Sequence, residues 1–292
     1  MTSVERSALA TRALGEEASL NGPDNDKAFT GSIAAIYEEY LVPLIFEPYA
    51  VDLAHRLAAS RPLTRVLELA AGTGVATRQL ACVLPESVSI VATDLNQAML
   101  DLADAIGTAR PVRWRQADIQ QLPFRDRQFD AVVCQFGFMF LADKAAAFRE
   151  AYRVLRPGGV LVFSVWDRIE ENEFADVVTT ALGAHFPEDP PRFLARTPHG
   201  YHDLAEVTRD VRAGGFRGPL EVSTVASRSR AASARVSAVA YCHGTPLRNE
   251  IEARAESRLG EATDIAARAI ARRFGSGVVD GKIQAHVVTA VR

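Results

Sequence analysis

The chain has 292 residues, about half of them apolar and a quarter charged, with a formal net charge of −3. Such a length suits one core domain with an added cap, and an acidic balance speaks against a protein that tracks nucleic-acid phosphates. The three cysteines, Cys82, Cys134 and Cys242, follow no disulfide or metal spacing, so they are expected as buried free thiols in a reducing cytoplasm, with no metal.

Residues 1–26 are polar and rich in Ser, Ala and Glu and lack an apolar signal core. They read as a loose tail in which Ser3 to Leu20 can form a short helix. No apolar run in the chain approaches the roughly 20 residues of a membrane span. From Ser32 to Ala59 apolar residues recur at helical spacing, with breaks expected at Pro43 and Pro48. This segment, 27–60, is expected as a helical lid.

The texture then changes to short apolar strands alternating with helices. Strands are expected at Arg65 to Ala70, Val88 to Thr93, Val112 to Gln116, Phe129 to Gln135 and Val160 to Val165. Between them lie helices after Gly74 through Val83, at Asn96 to Ile106 and at Lys144 to Leu155, the last stopped by Pro157-Gly158-Gly159. Near-continuous apolar strands in this alternation predict a parallel sheet covered on both faces. Beyond Trp166 the order predicts a helix at Glu173 to His185, a Pro-rich loop at Phe186 to Gly200 and a helix at His202 to Ala213. A strand at Leu220 to Ala226, helices within Ser227 to Phe274 and a final strand at Lys282 to Val291 complete the chain.

Four places carry the chemistry. The first is Glu68-Leu-Ala-Ala-Gly72-Thr-Gly74, where strand one meets its helix and glycines let a backbone approach a ligand. A dinucleotide fingerprint needs a third glycine at the position of Thr77, which disfavours a nicotinamide dehydrogenase. The second is Asp94, roughly 20 residues after Gly74, where a carboxylate can accept both ribose hydroxyls of a nucleoside. An N-cap role for the next helix is compatible with this. The third is Asp118-Ile119 at the end of strand three: Asp118 can accept an adenine amine, and Leu95, Met99 and Ile119 can enclose the ring, although each apolar residue alone is equally ordinary core. The fourth is Cys134-Gln135-Phe136-Gly137 at the exit of strand four. It lacks the prolines typical of nucleobase N-methyltransferases.

Together these residues resemble the class I S-adenosylmethionine-dependent methyltransferases, in particular the bacterial small-molecule branch of the ubiquinone/menaquinone C-methyltransferases. Glu68 to Gly74 resembles the first family motif, with Ala70 where a glycine is common. Asp94, Leu95 and Met99 resemble the second, Asp118-Ile119 the third, and Arg153 to Leu161 the approach to strand five. The likeness runs from about Arg65 to Trp166.

It implies a Rossmann-like α/β fold with a seven-stranded, mostly parallel sheet of order 3-2-1-4-5-7-6, strand 7 antiparallel, and a helical cap. The core would be 61–226 with 275–292, and 227–274 an inserted cap. S-adenosylmethionine is the implied cofactor, held by Glu68, Ala70, Gly72, Gly74, Asp94, Leu95, Met99, Asp118, Ile119 and Gln135. A small-molecule acceptor is expected among Tyr37, Tyr40, Phe136 and Trp166, enclosed by variable segments over the carboxyl edge of the sheet. The sulfonium methyl is already electrophilic, so a base is needed only where the acceptor loses a proton. Candidates are His185, His199, Tyr201 and His202, with His199 and His202 foremost, while His55, His243 and His286 are structural or undetermined. The alternative is a fold relative that uses the bound cofactor for a cyclisation or rearrangement; a non-catalytic interaction module is disfavoured by the placed carboxylates. The acceptor, the atom methylated and the oligomeric state, a homodimer among the options, stay open.

Overall fold

A computed structural model describes residues 32–254 and 258–292. The expected tail 1–26 and the helix within it lie outside the described residues. Among the described residues, seven strands form one sheet in the order β3-β2-β1-β4-β5-β7-β6. These are β1 (Arg65–Leu69), β2 (Ser89–Asp94), β3 (Arg113–Gln116), β4 (Phe129–Gln135), β5 (Leu155–Trp166), β6 (Leu220–Ala231) and β7 (Val279–Val291). The first five pair in parallel, and β7 runs antiparallel between β5 and β6. Val66, Leu67, Val132, Val133, Leu161 and Phe163 are fully buried, as strands covered on both faces must be. No helix among the described residues is long and apolar enough to cross a membrane.

The two prolines do not break the N-terminal helix. The chain stays helical from Ser32 to Ser60, passing through a π-helical segment at Tyr37–Phe46 that contains Pro43. Widening the turn absorbs a residue that has no N–H to give the ladder, and the Glu47 N–H reaches back to the Val42 carbonyl. Pro48 falls in the first turn of the next helix, where its missing N–H costs nothing.

Strand β5 begins five residues before the expected start, directly after the helix Lys144–Val154. Pro157-Gly158-Gly159 therefore lie inside the strand, where the pairing with β4 shifts register between Phe129 and Ala131. A side chain on Gly159 would meet the Arg156 and Asp130 carbonyls at 2.8 and 3.0 Å, so the bulge requires glycine.

Strands β6 and β7 are longer than expected too. The stretch Ser227 to Ala231 has helical composition, yet it continues β6 against Val279–Ile283. Asp280 pays the pairing back by holding Arg228 at 2.6 Å and Arg230 at 2.9 Å. Cross-strand pairing overrides local propensity here. Between the strands, helices at Ala234–His243, Leu247–Arg254 and Leu259–Phe274 form the insert, which leaves from the carboxyl edge of the sheet. One cysteine differs from expectation: Cys82 is exposed, whereas Cys134 and Cys242 are buried free thiols.

Candidate functional site

The strand ends converge on a cavity of about 1290 Å³, its open mouth included. Its rim is set by the turn after β1. Ala70, Gly72 and Gly74 all take left-handed conformations, with φ of 51°, 56° and 85°. Gly74 has a second reason to be glycine, because a Cβ there would lie 2.9 Å from the Trp114 ring. Ala70 carries the strain of a left-handed L-residue. Its Cβ is accommodated because position 137 is glycine: a Cβ on Gly137 would lie 2.5 Å from that of Ala70 and 2.7 Å from the Cys134 sulfur.

Asp94 ends β2 at the rim. One carboxylate oxygen accepts the Gly72 N–H and the other the Asn96 N–H, both at 2.8 Å. Burial raises its pKa above the ordinary Asp value, against these backbone donors. The N-cap role belongs to its neighbour, since the Asn96 side chain accepts the Ala98 N–H. Asp118 accepts the Gln120 N–H at 2.8 Å.

Beneath the rim, Glu68 is buried and accepts the Thr77 hydroxyl at 2.6 Å. Burial pushes its carboxyl up to about 8. Thr77, at the third fingerprint position, thus ties the helix to β1 through its side chain. Glu68 and Gly74 shape the turn from behind and are not on the cavity wall, whereas Ala70, Gly72, Asp94, Leu95, Met99, Asp118, Ile119 and Gln135 line it. Gln135 is buried, gives its amide N–H to the Phe46 carbonyl at 3.2 Å and leaves its own Oε1 without a partner among the described residues.

Further in, the wall is aromatic. Phe136, itself left-handed at φ 56°, stacks on Trp166 with centroids 3.9 Å apart and planes 3° from parallel. Tyr49 meets both rings edge-on, and Phe46 packs beside them. The stack and the edge-on contacts of Tyr49 pack the rings into one continuous aromatic wall. Tyr37 lines the cavity from the π-helical segment, its hydroxyl 3.8 Å from where a Gly72 side chain would begin. Tyr40, on the same segment, does not line it and packs against the core. Spacing by three residues puts the two tyrosines on different faces of so wide a helix.

The histidine cluster separates. His199 is buried on the cavity wall, 5.9 Å from the Trp166 ring, and its Nδ1 pairs with the Asp167 carbonyl at 2.8 Å. Burial pushes it down to about 4, so the ring is neutral near pH 7. His202 is off the wall, its Nδ1 bonded to the His199 carbonyl at 2.8 Å. Tyr201 gives its hydroxyl to Asp210 at 3.0 Å, and His185 lies 3.5 Å from Glu261. Neither lines the cavity.

What carries His199 was invisible in the sequence. The expected loop holds a helical turn at Phe193–Arg196. Buried Glu250, from the insert, accepts the Arg192 and Phe193 N–H groups at 2.7 and 3.1 Å and pairs with Arg196 at 2.8 Å. A carboxylate at a helix start satisfies donors that the turn cannot. Asn172, also buried and on the wall, bonds the Asp167, Arg168 and Gln284 carbonyls at 3.2–3.3 Å. Tyr241, Thr245 and Ile283 complete the wall from the insert and β7. No motif marks any of these. Their only signal is length: an insert this long after β6 has to cover something.

Comparison with known proteins adds independent observations. Residues 67–163 match the model of a methyltransferase domain. The chain is 40% identical over 157 residues to a ubiquinone/menaquinone biosynthesis C-methyltransferase of Ectopseudomonas mendocina, covering 52% of this chain and 61% of that one. It thus spans about three fifths of that relative's length. It is 35% identical over 164 residues to a demethylmenaquinone methyltransferase of Mycolicibacterium vanbaalenii, covering 53% of this chain and 69% of that one. A ubiquinone/menaquinone biosynthesis C-methyltransferase of Haemophilus ducreyi is 36% identical over 204 residues, 63% and 77% of the two chains. Among solved structures, a phosphoethanolamine N-methyltransferase of Haemonchus contortus superposes with a TM-score of 0.58 at 17% identity, over 94% of this chain and 61% of that one. The YcgJ protein of Bacillus subtilis gives 0.53 at 18%, over 84% and 98%. At these identities the two structures speak to the fold alone.

Proposed function

Because the chain belongs to the class I S-adenosylmethionine-dependent methyltransferases, we propose that it transfers the cofactor's methyl group to a small organic acceptor bound against the aromatic wall. The single observation that carries this reading is the Asp94 carboxylate, fixed by the Gly72 and Asn96 N–H groups at the rim of a cavity whose inner half is aromatic with a few uncharged polar groups. The relatives, named for ubiquinone and menaquinone biosynthesis, favour a ring carbon of a quinol-like acceptor and methyl transfer over the cyclisation alternative.

The residues present fit the cofactor. Asp94 ends its strand at the rim with its carboxylate held by backbone N–H groups, and with about four lone-pair sites it keeps acceptor capacity for a ribose hydroxyl. Left-handed Ala70 and Gly72 bring bare backbone to the wall. Leu95, Met99 and Ile119 offer apolar cover for an adenine and Asp118 an acceptor for its amine. The unpartnered Gln135 Oε1 offers one more acceptor. When bound, the cofactor supplies an electrophilic methyl on a sulfonium with a neutral leaving group.

The chain's own work is then alignment and exclusion of water. Phe46, Phe136 and Trp166 hold a flat apolar acceptor. We assign His199 as the group that receives a proton where the acceptor must lose one. Its Nδ1–H donates to the Asp167 carbonyl, which leaves the Nε2 lone pair to accept. His202 does not share that role in this reading, because it is off the wall. The helices from Ser32 to Ser60 act as lid and those at Ala234–His243, Leu247–Arg254 and Leu259–Phe274 as cap, over a core that holds all seven strands, β6 with its Ser227 to Ala231 included. A small molecule rather than a nucleic acid as partner, and a cytoplasmic setting, belong to the same proposal.

The test is a calorimetric titration with S-adenosylhomocysteine, followed by transfer of labelled methyl to quinol, polyketide and sugar-like acceptors. Saturable binding and label on a quinol are expected. Absence of S-adenosylhomocysteine binding sinks the reading.

A further inference from the structure

The cavity has a polar group that the transfer reaction does not call for. Tyr241 lies on the helix Ala234–His243 of the insert, is only 3% exposed, and lines the cavity. Two other buried tyrosines spend their hydroxyls within the fold, Tyr49 on the Val225 carbonyl at 3.2 Å and Tyr201 on Asp210 at 3.0 Å. Among the described residues no side chain or backbone group pairs with the Tyr241 hydroxyl, and it is not sealed in the core but open to the cavity it lines. A phenol held at a cavity wall in this way is free to pair with a molecule that fills the cavity.

Its placement is firm. The Thr245 hydroxyl donates to the Tyr241 carbonyl at 2.8 Å and accepts the Leu247 N–H at 3.2 Å, which fixes the end of the helix. At Gly244 the end of this helix packs in ordinary contact on the lid, where a Cβ would lie 3.5 Å from the Ile36 side chain and from the Tyr37 backbone. Burial holds the phenol above the ordinary Tyr value, so it stays protonated and able to donate.

The surroundings restrict what it can meet. Among the described residues that line the cavity, only Asp94 and Asp118 are acidic, both at the rim, and none is lysine or arginine. The inner half offers aromatic faces and neutral polar groups, an environment that penalises a charged acceptor.

Resting on the methyltransferase reading of this cavity, we propose that Tyr241 is a specificity-determining residue: its phenol hydrogen-bonds an uncharged oxygen, a hydroxyl or oxo group, on an otherwise apolar acceptor. The insert, which stands outside the sheet core, thereby selects the acceptor, while the strand ends hold the cofactor. A site built to pair a substrate oxygen discriminates strongly against the analogue that lacks it.

The experiment uses two probes of the same shape, 2-naphthol and 2-methylnaphthalene, titrated into the full chain saturated with S-adenosylhomocysteine and followed by quenching of tryptophan fluorescence. The wild type is expected to bind 2-naphthol about tenfold more tightly or better. Tyr241→Phe should bring the ratio close to one, with S-adenosylhomocysteine affinity and melting temperature unchanged. Should that variant fold poorly, Tyr241→Met serves with the same expectation. A wild type that shows no preference for the hydroxyl, or a Tyr241→Phe ratio equal to the wild type's, overturns the proposal. Failure of the wild type to bind S-adenosylhomocysteine removes the methyltransferase reading instead, and the naphthol ratio, measured then without it, still decides the role of Tyr241.

Discussion

At the rim of the cavity, Ala70, Gly72, Asp94 and Asp118 each lie within a few residues of the end of β1, β2 or β3. The inner wall is assembled otherwise, from Phe46 on the lid, Trp166 at the end of β5, His199 after a short helical turn and Tyr241 on the insert. The rim depends on local turns in a sheet whose order is fixed. The inner wall depends on contacts such as Glu250 with Arg192, 58 residues apart. The proposed cofactor and acceptor ends therefore rest on largely different supports, joined by the Gln135–Phe46 hydrogen bond, and variants can be chosen to disturb one more than the other.

The largest effect is expected at the rim. Asp94→Ala removes the acceptor proposed for the ribose. With hydrogen bonds to a charged group contributing about 1.5–3 kcal/mol each, affinity for S-adenosylhomocysteine should fall at least roughly 100-fold. The sheet should persist, as read by circular dichroism. Unchanged affinity in calorimetry would end the ribose assignment.

The corresponding variant of the inner wall is Glu250→Ala. It strips two backbone N–H groups and Arg196 of a buried partner. A loss of about 2–4 kcal/mol of stability is expected in urea melts. Acceptor binding should weaken with it, while S-adenosylhomocysteine affinity stays within about twofold, as expected for sites with no shared partners. A parallel loss of cofactor affinity would show that the two ends are not separate.

The floor between the two ends offers a finer test. Gly137→Ala would press a methyl group against Ala70 and Cys134, which costs about 1–3 kcal/mol in a packed site. Ala70→Gly made in the same chain should recover part of that loss, because it removes both the facing Cβ and a left-handed alanine. Additive effects in thermal melts would show that the pair is not coupled.

The same division explains what could be read in the sequence. The five parallel strands, Asp94 at a strand end and the strand order implied by the family likeness are properties of short segments and of their sequence order. The prolines misled because Pro43 is absorbed by a widened helix, a geometry that has no local signature. Ser227 to Ala231 misled because its strand exists only opposite β7. Tyr40 and His202 were grouped with true wall residues by closeness in sequence, yet a turn of helix or one backbone hydrogen bond directs them elsewhere. Glu250 could not be found because its backbone partners are 57 and 58 residues away, and Asn172 and Tyr241 because only the folded insert and β7 bring the wall together around them.

The effect of His199 is confined to acid and vanishes at neutral pH. The imidazole titrates at about 4 in the fold, below its ordinary value of 6.5. Between those values the unfolded chain binds the proton more readily than the folded one, so stability falls as pH drops from 6.5 toward 4 and levels off below. Above 6.5 both states are neutral and the term is absent. His199→Gln cannot take up a proton, so its melting temperature should fall less than the wild type's over that window and match its slope above pH 7. The rate of methyl transfer separates the proposed role from a structural one. If neutral His199 receives the proton, the wild-type acid limb should lie near pH 4 rather than 6.5, and in His199→Gln kcat should drop with S-adenosylhomocysteine affinity unchanged. An acid limb near 6.5 would mean that the ring is less enclosed than its contacts with Trp166 and the Asp167 carbonyl imply.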